Sequence, residues 1–165
     1  MTPGIESMSD SDVGFFGMFA SKKSDVTQIP KLMKALKDHH VWVVPTQCLA
    51  ERWIAADKTP EQLRDAPEMK YMDPKTVEAW TDNKRKMMAT PGYNAAEVDS
   101  FVKLRRKLIY ECNKNGVGLL LGSDAPQVFN VPGFSIHHEL RYLVDSGLTP
   151  YEALRTGTVN VAAFI

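Results

Sequence analysis

The chain has little cysteine, no net charge and no long apolar run, and each shortage narrows what it can be. Cys48 and Cys112 are its two cysteines, far apart and without a Cys-x-x-Cys spacing. That argues against a disulfide framework or a thiolate zinc site and leaves two thiols for core or surface. Lysine and arginine together number 20, as do aspartate and glutamate, and no segment is strongly basic. Neither nucleic acid nor an anionic membrane is therefore an expected partner; a small molecule or a protein is. No apolar stretch approaches the roughly 20 residues of a membrane-spanning helix. Met1 to Asp10 also lacks the basic residues and following apolar block of a secretory signal. The expectation is a cytoplasmic protein. Internal repeats and low-complexity tracts are missing too, and a length of 165 residues suits one domain-sized core.

What is present is an alternation of helix and strand signals. Ile29, Leu32, Met33 and Leu36 recur at helical spacing with Lys31, Lys34 and Lys37 turned outward, predicting a helix from Gln28 to Lys37. Val41-Trp42-Val43-Val44 is β-branched and aromatic, and Pro45-Thr46 ends it as a strand. The run Val117 to Leu121 has no polar alternation and reads as a second strand, buried on both faces as in a parallel sheet covered by helices. Between the two, Thr59-Pro60 and Asp73-Pro74 each offer an N-cap followed by proline at the first helical position. Asn94, with Glu97 three residues on, opens a longer helix whose stripe is Val98, Phe101, Leu104, Leu108, Ile109 and Cys112. Met69 to Tyr93 is polar and Met-rich, the composition of a cap over a site. Ser135 opens a helix carrying Ile136, Leu140, Leu143 and Val144, and Thr149-Pro150-Tyr151-Glu152 is a capping box. The order predicts an α/β protein, and two strands buried on both faces belong to a larger sheet.

The second strand signal stops abruptly at Asp124. In parallel α/β folds ligands and catalytic groups gather at the carboxyl ends of strands, so Asp124 is the leading candidate residue. Thr46 and Gln47 end the first strand on the same side and are candidate substrate contacts, with a strand-terminating turn as the alternative. His137 is a third candidate contact. His137 and His138 make a poor metal pair, because neighbours on a helix point about 100° apart. Phe129, Trp53 and Tyr71 suit either an apolar pocket or core packing.

Four words, Gly122-Ser123-Asp124-Ala125-Pro126, Ser135-Ile136-His137-His138-Glu139-Leu140, Gly147-Leu148-Thr149-Pro150-Tyr151-Glu152-Ala153-Leu154 and Thr158-Val159-Asn160-Val161-Ala162, carry a family resemblance. Together they resemble the metal-dependent amidohydrolase superfamily, in its imidazolonepropionase-like and prolidase-like branch. The resemblance implies an α/β fold that is a partial TIM-type (β/α)8 barrel. These words would be its eighth strand and the helices after it, and Val43-Val44-Pro45-Thr46 is similar to its seventh strand. On that reading a single partial barrel domain covers 1–165, with helix six and strand seven at 28–47, a helical insertion at 48–94, and helix seven, strand eight and later helices at 95–165. It further implies hydrolysis of carbon–nitrogen bonds in a small amide, of non-peptide or dipeptide type, with one or two divalent metals, commonly zinc. Asp124 is the one metal ligand that maps, and its carboxylate would also shuttle the proton from attacking water to leaving nitrogen. The family's first five strands and their His-x-His pair have no counterpart, and Ser7 stands where a sixth-strand metal histidine would. The expectation is therefore the carboxyl-terminal part of such a hydrolase, or else an inactive fragment that completes the barrel of a separate chain. A homo-oligomer or a complementing chain is the implied partner.

Overall fold

Short turns begin the chain and helices dominate the rest. The computed structural model describes all 165 residues. A four-residue helix, α1 (Asp10–Val13), and four 3-10 turns lead into α2 (Ile29–Asp38) and β1 (Trp42–Val43). A one-turn helix follows, α3 (Gln47–Leu49), which widens into a π turn over Ala50–Ile54. Then come α4 (Pro60–Arg64), a 3-10 turn (Pro67–Tyr71), α5 (Pro74–Met88), α6 (Ala95–Lys114) and β2 (Gly118–Leu119). The chain finishes with α7 (Phe134–Asp145), α8 (Pro150–Thr156) and α9 (Val159–Phe164).

Local capping chemistry sets most of these starts. Thr59 with Gln62, and Thr149 with Glu152, form reciprocal capping boxes ahead of a proline at the first helical position. The Asp73 carboxylate accepts from the Thr76 N–H, and the Asn94 side chain accepts from the N–H groups of Ala96 and Glu97. Each cap satisfies donors that the first helical turn leaves unpaired. Ser135 does not cap α7; Gly133 precedes that helix, and the Ser135 side chain is buried.

β1 and β2 pair in parallel, with Trp42 opposite Gly118 and Val43 opposite Leu119, and the Leu120 N–H donates to the Val43 carbonyl. This is the only sheet, and the chain is 64% helical. The protein is therefore mostly helical, and the expected partial (β/α)8 barrel with its strands seven and eight is corrected. The physical reason lies at the strand edges. In a parallel ladder alternate residues face the neighbour, so Val43 turns its backbone groups to β2 while Trp42 and Val44 turn theirs away, toward no third strand. The far edge of β2 meets helix ends instead: the Leu121 N–H donates to the Thr156 carbonyl, and Asn160 Nδ2 donates to the Leu119 carbonyl. With one neighbour apiece the ladders end after two residues, and Val41 and Val44 stay exposed.

Three apolar clusters hold the helices together. In the first, Ile29 and Met33 of α2 and Ile109 and Cys112 of α6 close on Leu119 and Leu143 around the sheet. In the second, Val98, Phe101 and Val102 of α6 meet Ala50 and Ile54 of the π turn and Met18 from the N-terminal turns. In the third, Leu63, Val77 and Trp80 of the 48–94 segment pack on Val128, Phe129 and Val131. Phe129 is thus core rather than pocket lining; Tyr71 is exposed and stacks on Phe134.

A fully buried lysine ties the second and third clusters. Lys84, on α5, donates to the carbonyls of Arg52 (2.9 Å), Trp53 (3.1 Å) and Ala55 (2.7 Å) at the end of the π turn. A cation is favoured there because a helix end collects unpaired carbonyls and negative partial charge. Burial nevertheless pulls the Lys84 ammonium down to about 8. The unfolded chain then binds more protons than the folded one between about 8 and the ordinary 10.5, so folding stability rises with pH across that window. Lys84→Met should be destabilised, and the wild type should gain on it as pH climbs above about 8, as measured by urea denaturation; a pH-independent difference would contradict this.

Candidate functional site

The segment after each strand carries a residue with left-handed backbone, Thr46 at φ 44° beyond β1 and Asp124 at φ 53° beyond β2. For β-branched threonine that conformation stores roughly 1–2 kcal/mol of strain, and it persists only where surrounding structure imposes it. The two residues share a cleft of about 90 Å³ with Arg105, walled on its apolar side by Phe16, Leu49 and Ile54. Asp124 is exposed. Its carboxylate enters none of the protein's hydrogen bonds or ion pairs, so it is open to a ligand.

A buried polar network imposes the turn at Thr46. Glu139, on α7 and wholly buried, accepts from the N–H groups of Gln47 (2.9 Å) and Cys48 (2.6 Å). Arg105, on α6, donates from Nη2 to the Pro45 carbonyl (2.6 Å) and from Nε to Gln47 Oε1 (3.1 Å), bracketing Thr46 from both sides. Gln47 Nε2 donates onward to Glu51 (2.8 Å), which also accepts two bonds from Arg106. Burial pushes the Glu139 carboxyl up from its usual range, against the pull of the Cys48 and Gln47 N–H groups and of Arg105. The Arg105 guanidinium is pulled down by burial, with Glu139 and Glu51 opposing.

The loop that carries Asp124 is held through the residue before it. The Ser123 carbonyl accepts from the Cys48 thiol (3.4 Å) and from Asn130 Nδ2 (3.5 Å), and the Ser123 and Ser135 hydroxyls lie 2.9 Å apart. Burial, and then the Glu139 charge, raises the Cys48 thiol, so Cys48 packs and donates rather than acting as a nucleophile.

Of the sequence-predicted site residues, the fold brings Asp124 and Thr46 to one cleft. Gln47 is wholly buried, with its side chain engaged by Arg105 and Glu51, and does not face a substrate. His137 is exposed on α7 and lies outside the cleft lining. Its neighbour His138 is the integrated one: Nε2 sits 3.0 Å from Glu68 Oε1 and 3.1 Å from Arg52 Nη1, within a buried Arg52–Glu68 ion pair of 2.7 Å. Burial and Arg52 lower the His138 imidazole, which favours its neutral form. Arg105 and Glu139 are the residues that sequence reasoning missed. A signal existed, since Arg105 falls on the stripe of Phe101, Leu108 and Ile109, and Glu139 on that of Ile136 and Leu143. A charged residue on an apolar face is a buried charge with a partner to be found.

No three histidine, cysteine, aspartate or glutamate side chains converge in a group able to hold a metal ion. Zinc takes three or four protein ligands, and Asp124 alone is too small a donor set, so the residues present do not fit the implied metal. Ser7 is exposed and its hydroxyl donates to the Gly4 carbonyl. No helix is long and apolar enough to cross a membrane. Comparison with protein-family models, with curated proteins and with solved structures finds no match.

Glycine adopts the left-handed region freely, so Thr46→Gly relieves the strain of the site while loosening the unfolded chain. The expected net effect is a gain of roughly 0.5 kcal/mol in urea-unfolding stability. A loss would show that the Thr46 side chain is a structural support and not a strained element.

Proposed function

We propose that the chain bears the proton-transferring carboxylate of a hydrolase that cleaves carbon–nitrogen bonds in small amides. The observation that carries this reading is Asp124, an exposed carboxylate without a protein partner, set on a cleft in the loop that follows β2. The similarity of its flanking words to metal-dependent amidohydrolases supports the same assignment. In this role the Asp124 carboxylate takes a proton from the attacking water and returns it to the leaving nitrogen, general acid–base work worth about 10²–10⁴ in rate. Thr46, across the cleft, holds a hydroxyl available to orient substrate. Any divalent ion at Asp124 takes its other ligands from outside this chain, and a complementing chain is the partner that would bring them.

A second reading is a non-catalytic chain that binds or completes a partner. The missing metal donors favour it. The two separate in one experiment: hydrolysis of cyclic amides and N-acyl amino acids, with and without added zinc, by the wild type and Asp124→Asn. The hydrolase reading expects a loss of about 10²-fold or more in kcat/KM in the variant, with folding unchanged because Asp124 is exposed. Equal rates in both proteins, or no hydrolysis by the wild type, leave the second reading.

A further inference from the structure

Arg105 uses only part of its hydrogen-bonding capacity. Of five guanidinium N–H groups, one on Nε and one on Nη2 are taken by Gln47 and Pro45, and Nη1 donates to nothing. Nη1 is also not among the chain's buried unpaired polar atoms, which are Trp53 Nε1 and Asn130 Oδ1 alone, so it reaches solvent. Arg105 lines the cleft with Asp124 and also a second pocket beside Val43, Pro45 and Ile109, and it forms no ion pair with the Asp124 carboxylate. The two opposite charges face a shared space without neutralising each other.

We infer that this cleft is a carboxylate subsite, in which Arg105 Nη1 and the free Nη2 N–H grip the carboxylate of a small amino-acid amide. The inference rests on the hydrolase reading for what happens at Asp124, but not for the binding itself. A planar guanidinium held rigid by two other bonds is a preorganised fork for a carboxylate, so little side-chain freedom is lost on binding. The Arg105 Cζ lies over the Phe101 ring, 5.7 Å from its centroid. A cleft of about 90 Å³ admits a carboxylate with one or two carbons, about three waters' worth of space. The rest of the substrate lies outside. Its apolar wall of Phe16, Leu49 and Ile54 suits a short methylene stem and offers no second cation. The substrate class is thus an amide whose amine side is glycine-like, its carboxylate on Arg105 and its scissile bond toward Asp124. Asp124 repels that carboxylate, which orients the ligand with its anionic end away from the reacting bond.

The test is an NMR titration of the intact chain with N-acetylglycine and with its uncharged analogue N-acetylglycinamide. The expected result is at least about tenfold tighter binding of the acid, with shifts at the Thr46 to Ala50 amides. The preference should vanish in Arg105→Gln. Equal binding of the two probes, no saturation by either, or a preference that survives in folded Arg105→Gln would overturn the inference. Because Arg105 also supports the Thr46 turn, that variant can fail to fold, and Asp124→Asn then decides. It should bind N-acetylglycine several-fold tighter and N-acetylglycinamide unchanged; no change for the acid overturns the inference. Charge-selective binding without Asp124-dependent hydrolysis defeats the hydrolase reading alone, and hydrolysis without charge selection defeats this inference alone.

Discussion

A carboxylate sunk in the core, that of Glu139, accepts the two N–H groups that open α3, and the cleft is built on that contact. An anion at a helix start meets unpaired donors and positive partial charge, which offsets part of its dehydration. Burial still raises the carboxyl, so the N–H bonds and Arg105 compensate it incompletely. Such arrangements are asymmetric in energy: intact they add little to stability, while removing one partner costs about 3–5 kcal/mol because the other is left buried and uncompensated. Glu139, Gln47, Arg105, Glu51 and Arg106 are accordingly one unit, joining α3, α6 and α7.

What that unit achieves is conformational. Pro45 follows β1 by two residues, and the chain must then reverse into α3 within a residue, which puts Thr46 in a backbone region its branched side chain resists. Arg105 on one flank and Glu139 on the other make the turn the lesser cost. The same Arg105 then presents its remaining donors to the cleft, and Cys48 reaches across to the Ser123 carbonyl that anchors Asp124. Strain at the site is thus supported by buried charge behind it, and a separate cluster, Arg52–Glu68–His138, ties the 48–94 segment to α7.

The helices were legible because their signals are local. Thr59, Asp73, Asn94 and Thr149 each read as a cap and act as one, and Ile29 to Leu36 shows its buried stripe directly. The sheet was not, because a strand exists only through its neighbours. Val41 to Val44 and Val117 to Leu121 carry the composition of fully buried strands, but one partner apiece reduces each to two paired residues and leaves Val44 in solvent. At the site, Asp124 and Thr46 were readable from where the apolar runs stop. Arg105 and Glu139 were not, since Arg105 is followed by Arg106 and Lys107 like a solvated face and Glu139 follows two histidines that draw the eye. Their burial is a tertiary fact, visible in sequence only as charges that fall on the apolar stripes of their helices.

The claim that buried charge sets the cleft is tested most directly by a double-mutant cycle on Arg105→Gln and Glu139→Gln, read by urea denaturation. The account predicts that the two losses couple by about 1 kcal/mol or more, as expected for residues sharing one hydrogen-bond network through Gln47. Losses that add without coupling would mean that Arg105 and Glu139 act separately, and the account of the Thr46 turn would be wrong.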